Sequence, residues 1–302
     1  MEHGKRLAGV SVDAPTSKRQ SVEQGMKQGV EHEVEGDTAG SENTPAPTID
    51  VKKAIERIRK TIRNNTSNAQ VTPDALKISI KPTITIKMNV NNFRDAATQM
   101  IRATSIHFRV SQNTVCLALR LMDVWIKQVT WLPTSQDVKL PTCTWNIGNG
   151  KTTEIPQLDS SLCLSVMSFL MLACKHVEAF AFRITDILCL TWMRECERLD
   201  LANTELDTLV RLQWNVNIMT AMDWIDLILD DNTCRPNLKV CVDSSKQRED
   251  NFEHARLKCL QALCKYESSL HGDLCIAIES LKEVNVLTKQ DAERMQALFV
   301  GQ

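Results

Sequence analysis

The strongest constraint on the fold lies at residues 162–178, LCLSVMSFLMLACKHVE, where Leu162 to Cys174 run without a charge and Lys175 ends the run. A bilayer core needs about 20 apolar residues, so an uncharged run this short reads as a fully buried helix. A helix that is apolar on every face has to be surrounded, and the rest of the chain is expected to pack around this one. Lys175 marks the point where that helix leaves the core.

With 302 residues and 43% hydrophobic content, the chain has room for one large domain or two of ordinary size. The formal net charge is -1, which gives no general attraction to polyanions. Residues 1–48 hold 5 Lys+Arg against 8 Asp+Glu, and the remainder holds 31 against 29, so neither part has the basic excess of a nucleic-acid binder. The first twenty residues are polar and mixed in charge, without a signal-type apolar segment, and the expected location is the cytosol or nucleus. The 11 cysteines are then reduced thiols. Cys116, Cys163, Cys174, Cys189, Cys259 and Cys275 fall in apolar helical patterns, where cysteine acts as a small hydrophobe. No CxxC or HxxxH pair occurs, and no metal site is expected.

Residues 1–48 carry one leucine and no aromatic residue, too little apolar surface to offset the entropy of ordering, and read as a disordered tail. Val51, Ile55, Ile58 and Ile62 then recur at helical spacing among Lys52, Lys53, Arg57, Arg59, Lys60 and Arg63, which predicts an amphipathic, basic helix. Its charged face is either simply solvated or a docking face for an acidic partner or import receptor. In KISIKPTITIKMNV, residues 77–90, apolar and polar residues alternate, so the segment is extended; Pro82 keeps it off a central strand position, and a strap across a helical body is expected.

From Asn92 the period is helical. Helices are predicted over 92–108, with Phe93, Ala96, Ala97, Met100, Ile101 and Phe108 inward, and over 112–129, with Val115, Leu119, Met122, Ile126 and Val129 inward and Ser111 as cap. After the central helix, further helices are predicted over 184–198, with Thr185 or Asp186 as cap, and over 203–213, opened by Asn203 and Thr204, with Leu206, Leu209, Val210 and Leu212 inward. The last set covers 220–230, 248–270, 272–284 and 288–299, with Thr288 and Asp291 as a capping pattern.

Residues 130–157 break the helical pattern with Pro133, Pro141, Gly148, Gly150 and Pro156 and read as a long loop or insertion. Its GNGKTTE string is not a phosphate-binding loop, because that motif needs a glycine where Trp145 stands. No glycine-rich loop, HxxEH or Gly-x-Ser-x-Gly element occurs, and His107, His176, His254 and His271 are scattered singly, so no enzymatic activity is expected.

Phe93–Ile126, FRDAATQMIRATSIHFRVSQNTVCLALRLMDVWI, resembles the first two helices of the cyclin box. That family shows an Arg early in the first helix, an N-x-T-like element after the turn, then L-A and an Asp near the end of the second; Arg94, Thr114, Leu117, Ala118 and Asp123 fall at matching spacing. The apolar run is similar to the third cyclin helix, which ends in A-S-K and an acidic pair: Ala173, Cys174 and Lys175 match the ending, and Val177 and Glu178 occupy the pair. Glu205, Leu212, Trp214 and Val216 are similar to the fifth-helix signature. The resemblance covers residues 92–230 well and 231–302 only weakly.

The resemblance implies an all-α cyclin fold, with a five-helix cyclin box over 92–217 interrupted by the insertion at 130–157. A second, degenerate cyclin-like helical domain follows over 218–302, and the basic helix and strap of 49–91 precede the box. It implies a regulatory subunit without cofactor that binds and modulates a cyclin-dependent kinase, affecting the cell cycle or transcription. In the family, positions matching Lys175, Glu205 and Glu178 lie at the kinase, while those matching Arg94 and Asp123 form a buried ion pair. Phe93–Ala97 and Met100 replace the M-R-A-I-L and Trp of the substrate-docking patch, so docking there is not expected. In length and polar leader the chain is similar to the retroviral cyclins of fish (walleye) retroviruses, associated with host nuclear kinases including the Mediator kinase, which implies the host nucleus with some cytoplasmic protein. The alternative is a transcription adaptor of the same fold that binds nuclear cofactors without activating a kinase. Neither reading requires direct nucleic-acid or membrane contact.

Overall fold

The computed structural model describes residues 51–68, 84–132, 140–148, 151–193, 195–229, 242–267 and 269–297. The 1–48 tail, the first half of the 77–90 strap and part of the 130–157 insertion lie outside them. The described chain is mostly helical. In order it comprises α1 (Val51–Asn68), β1 (Thr85–Ile86), α2 (Val90–Phe108), α3 (Gln112–Ile126), β2 (Thr130–Trp131), β3 (Thr142–Gly148), β4 (Lys151–Pro156) and α4 (Ser160–Val177). There follow α5 (Ile184–Leu188), a 3-10 turn (Thr191–Met193), α6 (Arg198–Arg211), α7 (Ala221–Leu229), α8 (Val242–Leu263), α9 (Leu270–Glu283) and α10 (Lys289–Ala297).

The uncharged run forms α4, and α2, α3, α6 and the 3-10 turn pack around it. The helix is longer than the run itself: Asp159 caps it by accepting from the Leu162 N–H at 2.9 Å, and it continues through Lys175 to Val177. By length and composition its 18 residues suffice to cross a membrane, yet 67% of them are buried inside the protein. Phe169 sits at its centre, fully buried, 5.4 Å from Trp125, which in turn meets Phe93 at 5.8 Å and Trp131 at 6.3 Å. Such edge and tilted contacts suit the ring quadrupoles and add to the apolar area removed from water.

A second set of helices is built on α9, which touches α7, α8 and α10. The basic helix α1 lays its apolar face on α7, burying Ala54 and Ile58, while Lys52, Lys53, Arg59, Lys60 and Arg63 stay exposed. The extended residues before α2 run beside the end of α3: Ile84 and Ile86 carbonyls accept from the Thr130 and Leu132 N–H groups at 3.0 and 2.8 Å, pairing β1 with β2 in parallel.

The all-α expectation needs correcting at the insertion, where β3 and β4 form an antiparallel hairpin with Cys143 opposite Ile155 and Trp145 opposite Thr153. The hairpin packs on α2. Ile155 is buried, and Trp145 meets His107 at 5.3 Å and Trp192 at 4.7 Å.

The expected helix over 184–198 is also absent. It breaks into α5 and the 3-10 turn, because Leu190 and Trp192, both buried, would lie about 200° apart on a continuous α-helix. Helix α6 starts earlier than expected, at Arg198, where the Glu197 N–H is held by the Asp200 carboxylate at 3.3 Å. Its inward face is Leu201, Glu205, Thr208 and Leu212, and Leu206 is half exposed instead of inward. The apolar pattern misled because two of the inward residues are polar and find partners on α4. The nine cysteines among the described residues are free; Cys116, Cys163, Cys174 and Cys259 are buried, but Cys189 and Cys275 are exposed and do not serve as core hydrophobes.

Phe169→Ala should destabilise by about 3–5 kcal/mol through lost burial and a residual cavity. Leu206→Ala should stay within about 0.5 kcal/mol. Urea unfolding of both variants checks the assignment of the faces, which a Leu206→Ala loss as large as that of Phe169→Ala would contradict.

Candidate functional site

Lys175 and Glu205 meet directly: the Lys175 ammonium donates to the Glu205 carboxylate, from the last turn of α4 to the middle of α6. The Lys175 side chain is 48% exposed and that of Glu205 11%, so the pair lies at the protein surface with the carboxylate tucked beneath the ammonium. Lower on the same contact, the Ser168 hydroxyl pairs with that of Thr208 at 3.1 Å inside the core. Each member of the ion pair is flanked by exposed apolar side chains, Val177 and Phe180 after Lys175, and Leu206 after Glu205. Phe180 is 95% exposed, an unusual position for a large aromatic ring.

Glu178 is not grouped with that pair. As the C-cap residue of α4 it turns to α3, where its carboxylate accepts from the Ser111 N–H at 2.8 Å and from the Thr114 hydroxyl. The Thr114 hydroxyl, with help from the Ser111 N–H, holds the Glu178 carboxyl below the usual carboxylate range, against the opposing effect of burial. The end of α4 is thereby tied to the start of α3, where unpaired N–H groups and the helix dipole favour an anion.

Arg94 and Asp123 are brought together in the core. The guanidinium donates through Nε to Asp123 Oδ1 at 2.8 Å and through Nη2 to Oδ2 at 3.1 Å, with Asp123 fully buried. The same guanidinium also donates to the carbonyls of Leu263 at 3.0 Å and Tyr266 at 2.5 Å, just past the end of α8. A second buried charge pair, Arg120 and Asp273 at 3.6 Å, joins α3 to α9. The sequence carried a signal for this pair, since each is a lone charge inside an apolar run, LALRLM and HGDLCI. Nothing local marks the α8 carbonyls as acceptors for Arg94, because they lie about 170 residues away.

Other chemistry is muted. Burial pushes the thiols of Cys163, Cys174 and Cys259 up to about 12, far from the thiolate a nucleophile needs. His107 stacks edge-on against Phe108 at 4.8 Å as well as Trp145. Among the described residues no group of three or more His, Cys, Asp or Glu gathers as metal ligands would. What the α4–α6 surface offers is contact chemistry: a charge pair at the rim, able to make charge-assisted hydrogen bonds, with exposed apolar side chains following each member in sequence.

No protein-family model and no curated protein matches the sequence. Among solved structures, the chain is similar to a viral cyclin from herpesvirus saimiri, with 15% identity and a TM-score of 0.42 over 70% of this chain and 87% of that one. It is also similar to a chain of the CAK complex from Chaetomium thermophilum bound to ATP-gamma-S, with 12% identity and a TM-score of 0.41 over 84% of this chain and 69% of that one.

Two measurements bear on these arrangements. Arg94→Met should destabilise by about 3–5 kcal/mol in urea unfolding, since it strands the buried Asp123 carboxylate. A loss below about 1 kcal/mol would contradict the pairing. For Glu178 the folded carboxyl titrates below its unfolded value, so its bonds stabilise above the ordinary carboxylate range and are lost as pH falls through the folded value. The stability gap between wild type and Glu178→Gln should therefore be widest at neutral pH and close in acid; a gap independent of pH would refute the cap.

Proposed function

We propose that this chain is a non-catalytic, cyclin-like regulatory subunit that binds a cyclin-dependent kinase through the α4–α6 surface. The observation that carries the reading is the Lys175–Glu205 pair, formed across two neighbouring helices, with the exposed Val177, Phe180 and Leu206 close to its members in sequence. The sequence resemblance supports it, because it assigns kinase contacts to the positions of Lys175 and Glu205. A monomeric surface gains nothing from a 95% exposed phenylalanine, whereas a partner that covers it buries a large apolar area next to a charge pair. Glu178 contributes indirectly in this reading: bonded to Ser111 and Thr114, it holds the chain between Val177 and Phe180 in place.

The proposed partners are nuclear cyclin-dependent kinases, the Mediator kinase among them, and the proposed place of action is the nucleus. Modulation of such a kinase would reach the cell cycle or transcription.

The test is a pull-down of purified cyclin-dependent kinases, the Mediator kinase included, by the full chain and by the Lys175→Ala, Glu205→Ala double variant. Removing both charges leaves no stranded ion, so the variant is expected to keep its circular dichroism spectrum and melting point. Kinase capture by the wild type and a loss of roughly tenfold or more in the variant is the expected result. Undiminished capture by the folded variant, or no capture of any kinase by the wild type, would sink the proposal.

A further inference from the structure

A cleft of about 270 Å³ opens between the outward face of α2 and the end of α8, away from the residues of the α4–α6 surface. Asp95, Thr98, Gln99 and Arg102 line it from α2, at the spacing that puts four residues on one helix face. Gln261, Cys264 and Lys265 line it from the end of α8 and the turn that follows. None of the side chains of Asp95, Gln99, Arg102, Gln261 and Lys265 makes a hydrogen bond or ion pair among the described residues. Elsewhere many surface charges are paired, for instance Lys127 with Glu267 and Lys258 with Glu283. Thr98, also lining the cleft, is only 4% exposed, and its hydroxyl has no hydrogen-bond partner.

The lining is rich in donors. Arg102 and Lys265 supply positive charge, Gln99 and Gln261 supply amide N–H groups, and Asp95 is the single anion, which leaves a net excess of one positive charge. Arg94 adds no net charge here, because Asp123 matches it, so the positive excess at the cleft comes from Arg102 and Lys265. The volume lies just below the range of pockets that hold drug-sized ligands, so it suits a group the size of a side chain and is too small for a nucleotide.

We propose that this cleft is a phosphate-binding site, taking a phosphate monoester carried on a peptide or free inorganic phosphate. A phosphate carries about -1.5 to -2 charge and three acceptor oxygens, which matches two cations and two amides better than a carboxylate with two oxygens. The planar guanidinium of Arg102 offers two parallel N–H groups to one edge of the phosphate, and Lys265 approaches as a point charge from the opposite wall. Because the walls belong to α2 and α8, the bound group bridges the two sets of helices on the side where Arg94 already joins them.

The experiment uses the full chain and two probes, sodium phosphate and an acetylated, amidated Gly-Gly-phosphoserine-Gly-Gly peptide, with sodium chloride at matched ionic strength and the serine peptide as controls. Calorimetric titration and the melting temperature are read on the wild type, on the Arg102→Gln, Lys265→Gln double variant, and on Asp95→Asn. All three substitutions lie on exposed side chains, and a second double variant, Gln99→Ala, Gln261→Ala, covers the case in which the first does not fold. The expected result is saturable binding with a rise in melting temperature for the wild type, weakened roughly tenfold or more in either double variant and kept in Asp95→Asn. Tighter binding of the phosphopeptide than of inorganic phosphate assigns the site to a phosphorylated partner, and equal or weaker binding assigns it to the free ion. Absence of a saturable response to both probes, or an equal response in wild type and a folded double variant, would overturn the proposal.

Discussion

The Arg94 guanidinium is the interaction on which the rest of the structure depends. It is 7% exposed, and a charge so deeply placed persists only with partners on every edge. Asp123 from α3 satisfies one edge, and the carbonyls at the end of α8 satisfy the other. One side chain therefore fixes α2 against α3 within the first set of helices and both against the second set. The α8 carbonyls gain as well, since the last carbonyls of a helix lack partners of their own and favour a cation. Arg120 and Asp273 repeat the device between α3 and α9. Apolar area is not selective about register, whereas these two pairs are, because a shift of one residue would leave a charge buried alone.

Around this frame α4 fills the first set, and the surface it forms with α6 follows from where its apolar character stops. From Val166 to Cys174 every residue is buried; at Lys175 the helix reaches the rim, and the side chain bends to Glu205. The buried Ser168–Thr208 bond fixes α6 along α4, so Glu205 stands opposite Lys175 without freedom to drift. Glu178 then turns the chain towards α3 and leaves Phe180 in solvent. The surface proposed to bind a kinase is thus already ordered in the free chain, which would spare the cost of ordering it on association.

The fold was legible in the sequence wherever burial was apolar and periodic. Residues 93–101 and 115–129 show their inward faces plainly, and both faces pack as their spacing requires. Legibility failed where buried residues are polar. In α6, Glu205 and Thr208 face the core with partners in Lys175 and Ser168, and a pattern that counts only apolar residues misses both and puts Leu206 inward, although Leu212 is buried as that pattern requires. It failed again at the hairpin, although Asn149–Gly150 between alternating residues is a known hairpin signal. Trp145 and Ile155 have few apolar companions on their own strands; their core is α2 and Trp192, distant in the chain.

What the sequence determined by itself is the central helix, the amphipathic helices around it and the charges that had to be paired, because period, length and the cost of a lone buried charge are local properties. Tertiary structure decided which charges meet. It placed Glu178 on the start of α3, gave Arg94 the end of α8, joined Arg120 to Asp273, and set Asp95, Gln99 and Arg102 across a cleft from Gln261 and Lys265. Each of these relations spans tens to well over a hundred residues of chain. Their partners are chosen by how the helices stack, which no local pattern encodes.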